Sequence, residues 1–472
     1  MGTHSVRLVK EGVAGRGIPD PKDYGDLTQL TPGQLVSFII QQHNAQRAGF
    51  HRDVRYGTPE TGLFSWATRK ELPKPGERRA LYQTPVHEHH YGDFQGQLYG
   101  YGAGTVRRER KGQILLTKVT PDKISFTTAD ERYPQRFSMI RIRGGKKRDW
   151  LLVNNTPKDV IPYNKVHYTR VPGEQVEQLL ADMKPGTSVQ AKIDGAASLV
   201  KLLEHGVEVT SYRQSKTGLP IVHTERVFRG RPTDLKIPKK LVGTVLKGEL
   251  YGVRRPKTVV EGTEPREEVI PPQELGGLLN ATLANSLKAQ QEKGISLKNM
   301  VYDLQSLGSK SVDMDAVPYA QRLALVKEVI QHLPADVFHA PAEANSPEEA
   351  TQLWRSIGEG KHPLTREGIV IHPPTGVPSK AKFLEDQDVH IRGMFPGEGK
   401  YYKRGVGGFT YSLTPDGPVL GRVGTGFDDD LRMDMYRNPD AYTGRVARVQ
   451  HQGAFPGSGA LRAPSFIALH EG

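Results

Sequence analysis

Ala191-Lys192-Ile193-Asp194-Gly195 is the stretch on which the reading of this 472-residue chain turns. Read as a strand, Gln190, Lys192 and Asp194 share one face, while Val189, Ala191 and Ile193 point the other way. A lysine then stands on a polar face whose reverse side is apolar core. A lysine amine attacks an electrophile only when neutral, and its reference pKa is about 10.4. The site must therefore supply desolvation or neighbouring cations. Alone, Lys-x-Asp-Gly is a weak signal, because a surface strand running into an Asp-Gly turn reads the same way.

Four further elements follow along the chain. Ser211-Tyr212-Arg213 precedes a turn at Lys216-Thr217-Gly218. Leu246-Lys247-Gly248-Glu249-Leu250-Tyr251 reads as a strand with one acid on its polar face. Val301-Tyr302-Asp303-Leu304 places an aromatic in a short apolar run. Arg366-Glu367-Gly368-Ile369-Val370-Ile371 is followed by Ser379-Lys380-Ala381-Lys382-Phe383, in which Lys380 and Lys382 alternate and share a face. A mononucleotide site needs these residue types. Aromatics stack on bases, carboxylates bind ribose or a divalent metal, and cations neutralise phosphates as charge develops.

Taken in order, this set resembles the nucleotidyltransferase motifs of ATP-dependent DNA ligases, over roughly Val166 to the C-terminus. The resemblance implies that Lys192 is the residue adenylated by ATP. It puts Asp194 and Arg213 around the nucleotide and nick phosphate, Glu249 at the ribose or metal region, and Tyr302 against adenine. Glu367 would support a metal, magnesium in this family, and Lys380 and Lys382 would contact phosphates. Two departures stand out. Ala197 occupies a position where ligases usually carry Arg, and Ser465 replaces the second Arg of the usual ending, although Arg462 is kept. RNA ligases and capping-type nucleotidyltransferases also use Lys-x-Asp-Gly, and Ala197 keeps that alternative open.

The N-terminal third carries a second constellation. Phe50-His51-Arg52-Asp53-Val54-Arg55-Tyr56 alternates except at Arg52, so His51, Asp53 and Arg55 share a strand face, with His43 upstream. Two histidines and a carboxylate form a facial ligand set for a divalent transition metal, and an adjacent Arg can bind a phosphate oxygen. Ser65-Trp66-Ala67, Gly76-Glu77-Arg78-Arg79-Ala80, His87 with Tyr91, Asp93-Phe94-Gln95-Gly96 and Tyr101-Gly102-Ala103-Gly104 follow. Together they resemble the 3′-phosphoesterase domain of bacterial ligase D, over roughly Gln34 to Asn155. The resemblance implies manganese on His43, His51 and Asp53, phosphate contacts from Arg79 and Arg55, and catalytic roles for His87 and Tyr91. Seven residues separate His43 from His51, a longer spacing than the family usually has, so the stretch from Asn44 to Phe50 is expected to bulge. A barrel that only binds DNA is the corresponding alternative. His89 and His90 are spare candidates expected to face solvent.

Composition bounds the rest. Lys and Arg outnumber Asp and Glu by 65 to 52, for a net charge of +13, which favours a polyanionic partner. The runs Arg107-Arg108-Glu109-Arg110-Lys111 and Arg143-Gly144-Gly145-Lys146-Lys147-Arg148 are candidate phosphate contacts. With no cysteine, disulfides, cysteine zinc sites and a cysteine nucleophile are excluded. Neither a membrane-length apolar run nor a hydrophobic signal core near Met1 is visible, and a cytoplasmic, nucleoid-associated protein is expected. Punctuation divides the chain into a flexible segment 1–33, a β-rich phosphoesterase-like barrel 34–155, a linker 156–165, an α+β nucleotidyltransferase domain 166–383 and an OB-fold barrel 384–472. Ser346-Pro347-Glu348-Glu349 predicts a capped helix through Ile357, and Gln321 to His332 predicts another, with Arg322 facing a nucleotide cleft. Arg254 to Pro272 reads as a loop covering the site. The expectation is an α+β multidomain monomer, able to encircle DNA, that acts on nicked or broken duplex DNA using ATP, magnesium and manganese.

Overall fold

Alternating apolar residues build the N-terminal part. In the computed structural model, β1 (Leu35–Ala45), β2 (Gly49–Thr58), β3 (Gly62–Thr68) and β4 (Arg78–His87) form an antiparallel meander. β5 (Gly96–Leu98), β6 (Gly104–Thr120), β7 (Lys123–Thr128), β8 (Arg136–Arg141) and β9 (Asp149–Asn154) follow. The sheet runs β1-β2-β3-β4-β9-β8-β7-β6-β5, and β6 also pairs with β1, so the sheet closes into a barrel flanked by β5. Phe38, Ile40, Val54, Tyr56, Trp66 and Trp150 fill its core. Strand alternation sends their odd-numbered neighbours Gln41, His43, Asp53 and Arg55 to the opposite face. These polar residues are nevertheless buried.

The described residues are 24–100, 102–142, 148–231, 235–255, 267–308, 310–312, 316–455 and 457–470. Residues 1–23 of the segment expected to be flexible, Tyr101, residues 143–147 of the second basic run and residues 256–266 of the expected covering loop lie outside them. The rest of the 1–33 segment differs from expectation. Leu27 opens the 3₁₀ turn Leu27–Gln29, Leu30 caps it, and both are buried in the barrel core, because their side chains complete it. Among the described residues, no helix is long and apolar enough to cross a membrane.

Beyond the barrel the chain forms three more sheets. One runs Thr169–Val171, Ser379–Lys382, Gly368–His372, Ser188–Lys192, Glu343–Ala344 in spatial order. The helices Gly173–Ala181 and Pro347–Gly358 pack on it around Val176, Val189, Trp354 and Ile369. The second helix starts as its sequence predicts: Ser346 Oγ accepts from the Glu349 N–H at 3.2 Å, and Glu349 Oε2 accepts from the Asn345 N–H at 2.9 Å. A larger sheet is built on Ala196–Leu203, Gly206–Gln214, Val245–Arg254 and Ile295–Leu307. The predicted Gln321–His332 helix spans Tyr319–Ile330.

The last sheet contains Glu385–Pro396, Val406–Ser412, Gly421–Val423, Val446–His451 and Ser465–Leu469, with the helix Asp429–Arg437 between its third and fourth strands. Spatially the third strand is at one edge and the fifth at the other, and a bridge between Thr425 and Ser465 joins those edges. Val389, Phe409, Tyr411, Met435 and Val449 fill this small barrel.

The chain divides into two units. The first holds the N-terminal barrel to Asn164 with 195–317 and 321–340; the second holds 165–194, 318–320 and 341–472. The stretch expected as one domain, 166–383, is thus shared between them, because its two sheets have separate cores.

Within the first unit the barrel is docked on the larger sheet rather than merely tethered to it. Arg136 at the start of β8 donates to Glu208 at 3.1 Å and Glu225 at 2.7 Å. Burial would raise the Glu225 carboxyl, but the Arg136 guanidinium outweighs it and holds the pKa below its usual value. The Ala284 N–H donates to the Ala129 carbonyl at 2.8 Å, and Leu283, Leu115 and Ala129 form an apolar contact beneath it. Removing one partner of such a buried pair leaves a charge uncompensated, which is strongly destabilising.

His223, on the larger sheet's flank, gives this unit an acid sensitivity. Its Nε2 lies 2.9 Å from Ser211 Oγ, and its buried Nδ1 has no hydrogen-bond partner among the described residues. Burial, helped by Arg226, pushes its pKa down to about 3. The unfolded imidazole takes up a proton below its model value of 6.5 and the folded one only near 3. Between those values the unfolded state binds more protons, so stability falls as pH falls, by up to about 1.4 kcal/mol per pH unit. Urea unfolding at pH 7 and pH 5 should show this loss, and His223→Gln should flatten it.

Candidate active sites

The first cluster is set by the β1–β2 hairpin. The turn Gln46-Arg47-Ala48 joins the strands, and Gly49 follows it at φ +70°, a conformation that favours glycine. The register places His43 directly opposite His51. The Asn44–Phe50 stretch therefore does not bulge to bring the histidines together; both strands simply run further before turning. Asp53 lies two residues beyond His51 on the same face, and the ligand atoms of His43, His51 and Asp53 lie within 4.8 Å of one another. This is the one such group among the described residues.

Hydrogen bonds orient both rings. His43 Nε2 lies 2.9 Å from the Gly102 carbonyl and His51 Nδ1 lies 3.0 Å from the Gly49 carbonyl. A carbonyl only accepts, so those nitrogens carry the protons, leaving His43 Nδ1 and His51 Nε2 as the lone-pair donors. Each of these two atoms is 3.8 Å from an Asp53 oxygen. Burial holds the His43 pKa below its usual value, although Asp53 opposes the shift. Two imidazole nitrogens, a carboxylate and ring N–H groups held by carbonyls fit a divalent transition metal.

Arg55 organises the adjoining surface. Its guanidinium donates to Asp53 at 2.9 Å, Gln41 Oε1 at 2.8 Å and Ser65 Oγ at 2.6 Å, and lies 2.9 Å from His87 Nδ1. It also covers the Tyr91 ring at 5.1 Å, and His87 and Tyr91 are 4.8 Å apart. Burial raises the Tyr91 hydroxyl above its usual pKa. Gln41, which sequence reasoning did not single out, donates to the Tyr91 and Phe94 carbonyls at 3.0 Å each. Its place two residues before His43 on an alternating strand was the available signal.

Arg79 is a correction. It stands at the opposite end of β4 from His87, on the order of 25 Å away along an extended strand. Its guanidinium donates to Glu77 at 2.6 Å and to the Arg78 carbonyl at 2.9 Å. It does not join the Arg55–His87–Tyr91 group. His89 bonds Ser37 Oγ at 2.9 Å, and exposed His90 lies 3.3 Å from Glu88.

The second cluster lies in the second unit. Lys192, Gly368 and Lys382 are cross-strand neighbours in one row of the sheet. Buried Glu367 accepts from Lys192 Nζ at 2.9 Å through one oxygen and pairs with Lys382 Nζ at 2.6 Å through the other. Thr365, another residue the sequence reading did not name, donates from Oγ to the Lys192 carbonyl at 2.6 Å and accepts from the Glu367 N–H at 2.9 Å. Lys380 stands two residues from Lys382 on the same face. Partial burial, then the charges of Lys382 and Lys192, lower its pKa. Asp194 is bonded by the guanidinium of Arg462, from the C-terminal barrel.

The other expected nucleotide residues, Arg213, Glu249 and Tyr302, belong to the first unit. Glu249 is opposite Ala197. Tyr302 sits where the register slips between Lys247–Asp303 and Gly248–Val301, a bulge that re-aims a side chain. Arg213 is exposed and donates to Tyr212 Oη at 2.8 Å. Arg322 pairs with buried Asp303 at 2.8 Å, so its charge is used in packing.

No family model matches the sequence, and no curated protein matches it. Solved structures do. A Lig E DNA ligase is 16% identical, with a TM-score of 0.41, covering 65% of this chain and 100% of that one. The ligase domain of LigD from M. tuberculosis is 17% identical with a TM-score of 0.29, covering 65% and 94%. A Chlorella virus DNA ligase-adenylate is 20% identical with a TM-score of 0.25, covering 65% and 100%.

Two glycines make the geometry testable. A Cβ on Gly368 would lie 2.0 Å from the Ala381 carbonyl oxygen, and one on Gly195 would lie 2.4 Å from that of Leu250. Gly368→Ala and Gly195→Ala should each cost about 2–4 kcal/mol in unfolding experiments. Gly276→Ala, on the helix Pro272–Asn280 with nothing within 4 Å, should be neutral or stabilise by about 0.5–1 kcal/mol.

Proposed function

We propose that the protein is an ATP-dependent DNA ligase carrying a fused 3′-end-healing barrel. The observation that carries the ligase half is the Lys192–Glu367–Lys382 arrangement, a lysine whose amine touches a buried carboxylate while further cations stand beside it. In the first transfer, Lys192 Nζ forms a bond to the α-phosphorus of ATP and pyrophosphate leaves. The Glu367 oxygen at 2.9 Å is placed to hold the proton that the amine must lose. Lys380 and Lys382 would balance the phosphate charge. AMP then passes to the 5′-phosphate of a nick. Finally the 3′-hydroxyl oxygen bonds that phosphorus and AMP leaves.

Tyr302 would stack on the base, Glu249 would bind the ribose or metal region, and Asp194 and Arg213 would serve the nucleotide and nick phosphate. Magnesium would add charge stabilisation near Glu367 and Glu249. The small C-terminal barrel fits an OB-fold, a design widely used on oligonucleotides. Its topology and the basic excess support duplex DNA as the partner, and the protein would act as a monomer.

In the N-terminal barrel, His43, His51 and Asp53 would hold manganese, which when bound supplies Lewis-acid activation for phosphoester hydrolysis. Arg55 fixes Asp53 and His87, and His87 with Tyr91 would bind the departing phosphate. Water oxygen bonds phosphorus, the bond to the 3′-oxygen breaks, and that oxygen takes a proton to become the hydroxyl used in sealing. A barrel retained only for DNA binding drew its support from the unusual histidine spacing, and the hairpin register removes that support.

Incubation with α-labelled ATP should label the wild-type protein covalently, and Lys192→Ala should abolish the label and multi-turnover sealing. Persistent labelling of the variant would overturn the assignment. Transfer to nicked RNA in place of nicked DNA would favour the RNA-ligase alternative. On a nick ending in a 3′-phosphate, the wild type with manganese and ATP should release phosphate and then seal. His51→Ala should leave the phosphate in place yet still seal a 3′-hydroxyl nick. A manganese-saturated wild type that ignores 3′-phosphate and 3′-ribonucleotide ends would sink the healing half.

A further inference from the structure

Lys192 is the last residue of the strand Ser188–Lys192, and its register partner Gly368 is the first residue of Gly368–His372. Glu367 therefore lies one residue beyond the ladder that joins these strands. Yet its carboxylate must meet one particular amine, and a misplacement of about 1 Å in such a pair can cost on the order of a hundredfold in rate. The chain places Glu367 with a side chain instead of a further strand rung. Buried Thr365 donates from Oγ to the Lys192 carbonyl at 2.6 Å and accepts from the Glu367 N–H at 2.9 Å. A hydroxyl carries one proton and two lone pairs. Its proton thus goes to the strand that carries the amine, and a lone pair goes to the residue that carries the acid.

The surroundings hold this hydroxyl in place. The bond to an N–H two residues on is a local turn that threonine forms readily. Exposed Arg366 folds its guanidinium back onto the Thr365 carbonyl at 3.1 Å and onto the His362 carbonyl. On the other side, the Phe383 N–H donates to the Glu367 carbonyl at 3.0 Å. The Glu367 backbone is thereby tied toward the strand of Lys192 through Thr365 and toward that of Lys382 through Phe383, and its carboxylate contacts both lysines. Packing alone would be met by the similar volume of a valine. The hydroxyl adds two directed bonds, and both end on the backbones of residues whose side chains meet at 2.9 Å.

We propose that Thr365 is a positioning residue for the first transfer: its hydroxyl holds the Lys192 and Glu367 backbones at the spacing at which the carboxylate meets the amine. This rests on the ligase reading, in which Lys192 attacks ATP. The hydroxyl is engaged with backbone groups and makes or breaks no bond in the reaction. It therefore acts on the rate of attack and not on ATP affinity.

The test follows covalent labelling of the full chain by α-labelled ATP across a concentration series, with rates expressed per folded protein from parallel thermal unfolding. Thr365→Val keeps the volume and loses both bonds. Its labelling rate at saturating ATP should fall about tenfold, while the ATP concentration for half-maximal rate stays within about twofold of wild type. Thr365→Ser keeps the hydroxyl without the methyl group and should recover the rate to within about threefold of wild type. If Thr365→Val does not fold, Thr365→Ala, which leaves room for a water between the two backbone groups, carries the same expectation. A wild-type rate without the hydroxyl, a Thr365→Ser variant as slow as the one lacking it, or a defect confined to half-saturation overturns the proposal and leaves the ligase reading standing. A wild type that ATP never labels overturns both.

Discussion

The Glu367 carboxylate is the interaction around which the second unit's site is arranged. It is buried, and burying a carboxylate without a partner is costly. Lys192 and Lys382 provide that pairing from the strands on either side of Gly368–His372, which Glu367 immediately precedes. Gly368 lies in the row between them, where a Cβ would strike the neighbouring backbone. Thr365 ties the Glu367 N–H to the Lys192 carbonyl, so acid and amine are placed by the same backbone network. Moving any strand by one residue would reverse the faces and dissolve the cluster.

A contrasting arrangement governs the barrel. There burial holds the His43 pKa below its usual value, both rings are oriented by carbonyls, and positive charge enters through Arg55. Arg55 is nearly saturated with acceptors: Asp53, Gln41, Ser65 and His87 all lie within hydrogen-bond distance. Its chief physical effect is to hold Asp53 and His87 in fixed relation. The site faces away from the apolar barrel core and is roofed by the 3₁₀ turn His89–Asp93, which Gln41 anchors. An oriented donor set on a rigid barrel suits metal chemistry, because little has to reorganise on binding.

The barrel's docking on the larger sheet has its own consequence. Arg136 between two carboxylates and the Ala129–Ala284 contact make the barrel and that sheet parts of one unit. The segment after the barrel is correspondingly not slack, since Gln305 and Lys247 hold Pro162 and Asn164. What composition suggests is a spacer is a built part of the sheet's surface.

Much of this was legible in the sequence because it depends on local period. Two-residue alternation is enough to put His51, Asp53 and Arg55 on one face, Lys380 and Lys382 on another, and Lys192 with its back to a core. The Ser346 cap was readable for the same reason, since capping involves residues three apart. The hairpin register was not, because a count of residues between His43 and His51 does not say whether they form a loop or two lengthened strands. Nor was the exclusion of Arg79, which follows from the length of β4, or the partition of 166–383 between two cores. The tie on Pro162 and Asn164 was invisible because its partners are Lys247 and Gln305, and no local pattern records contacts across such separations. Local chemistry selected the candidate side chains, and only the tertiary fold decided which of them meet, since that depends on the register and packing of distant strands.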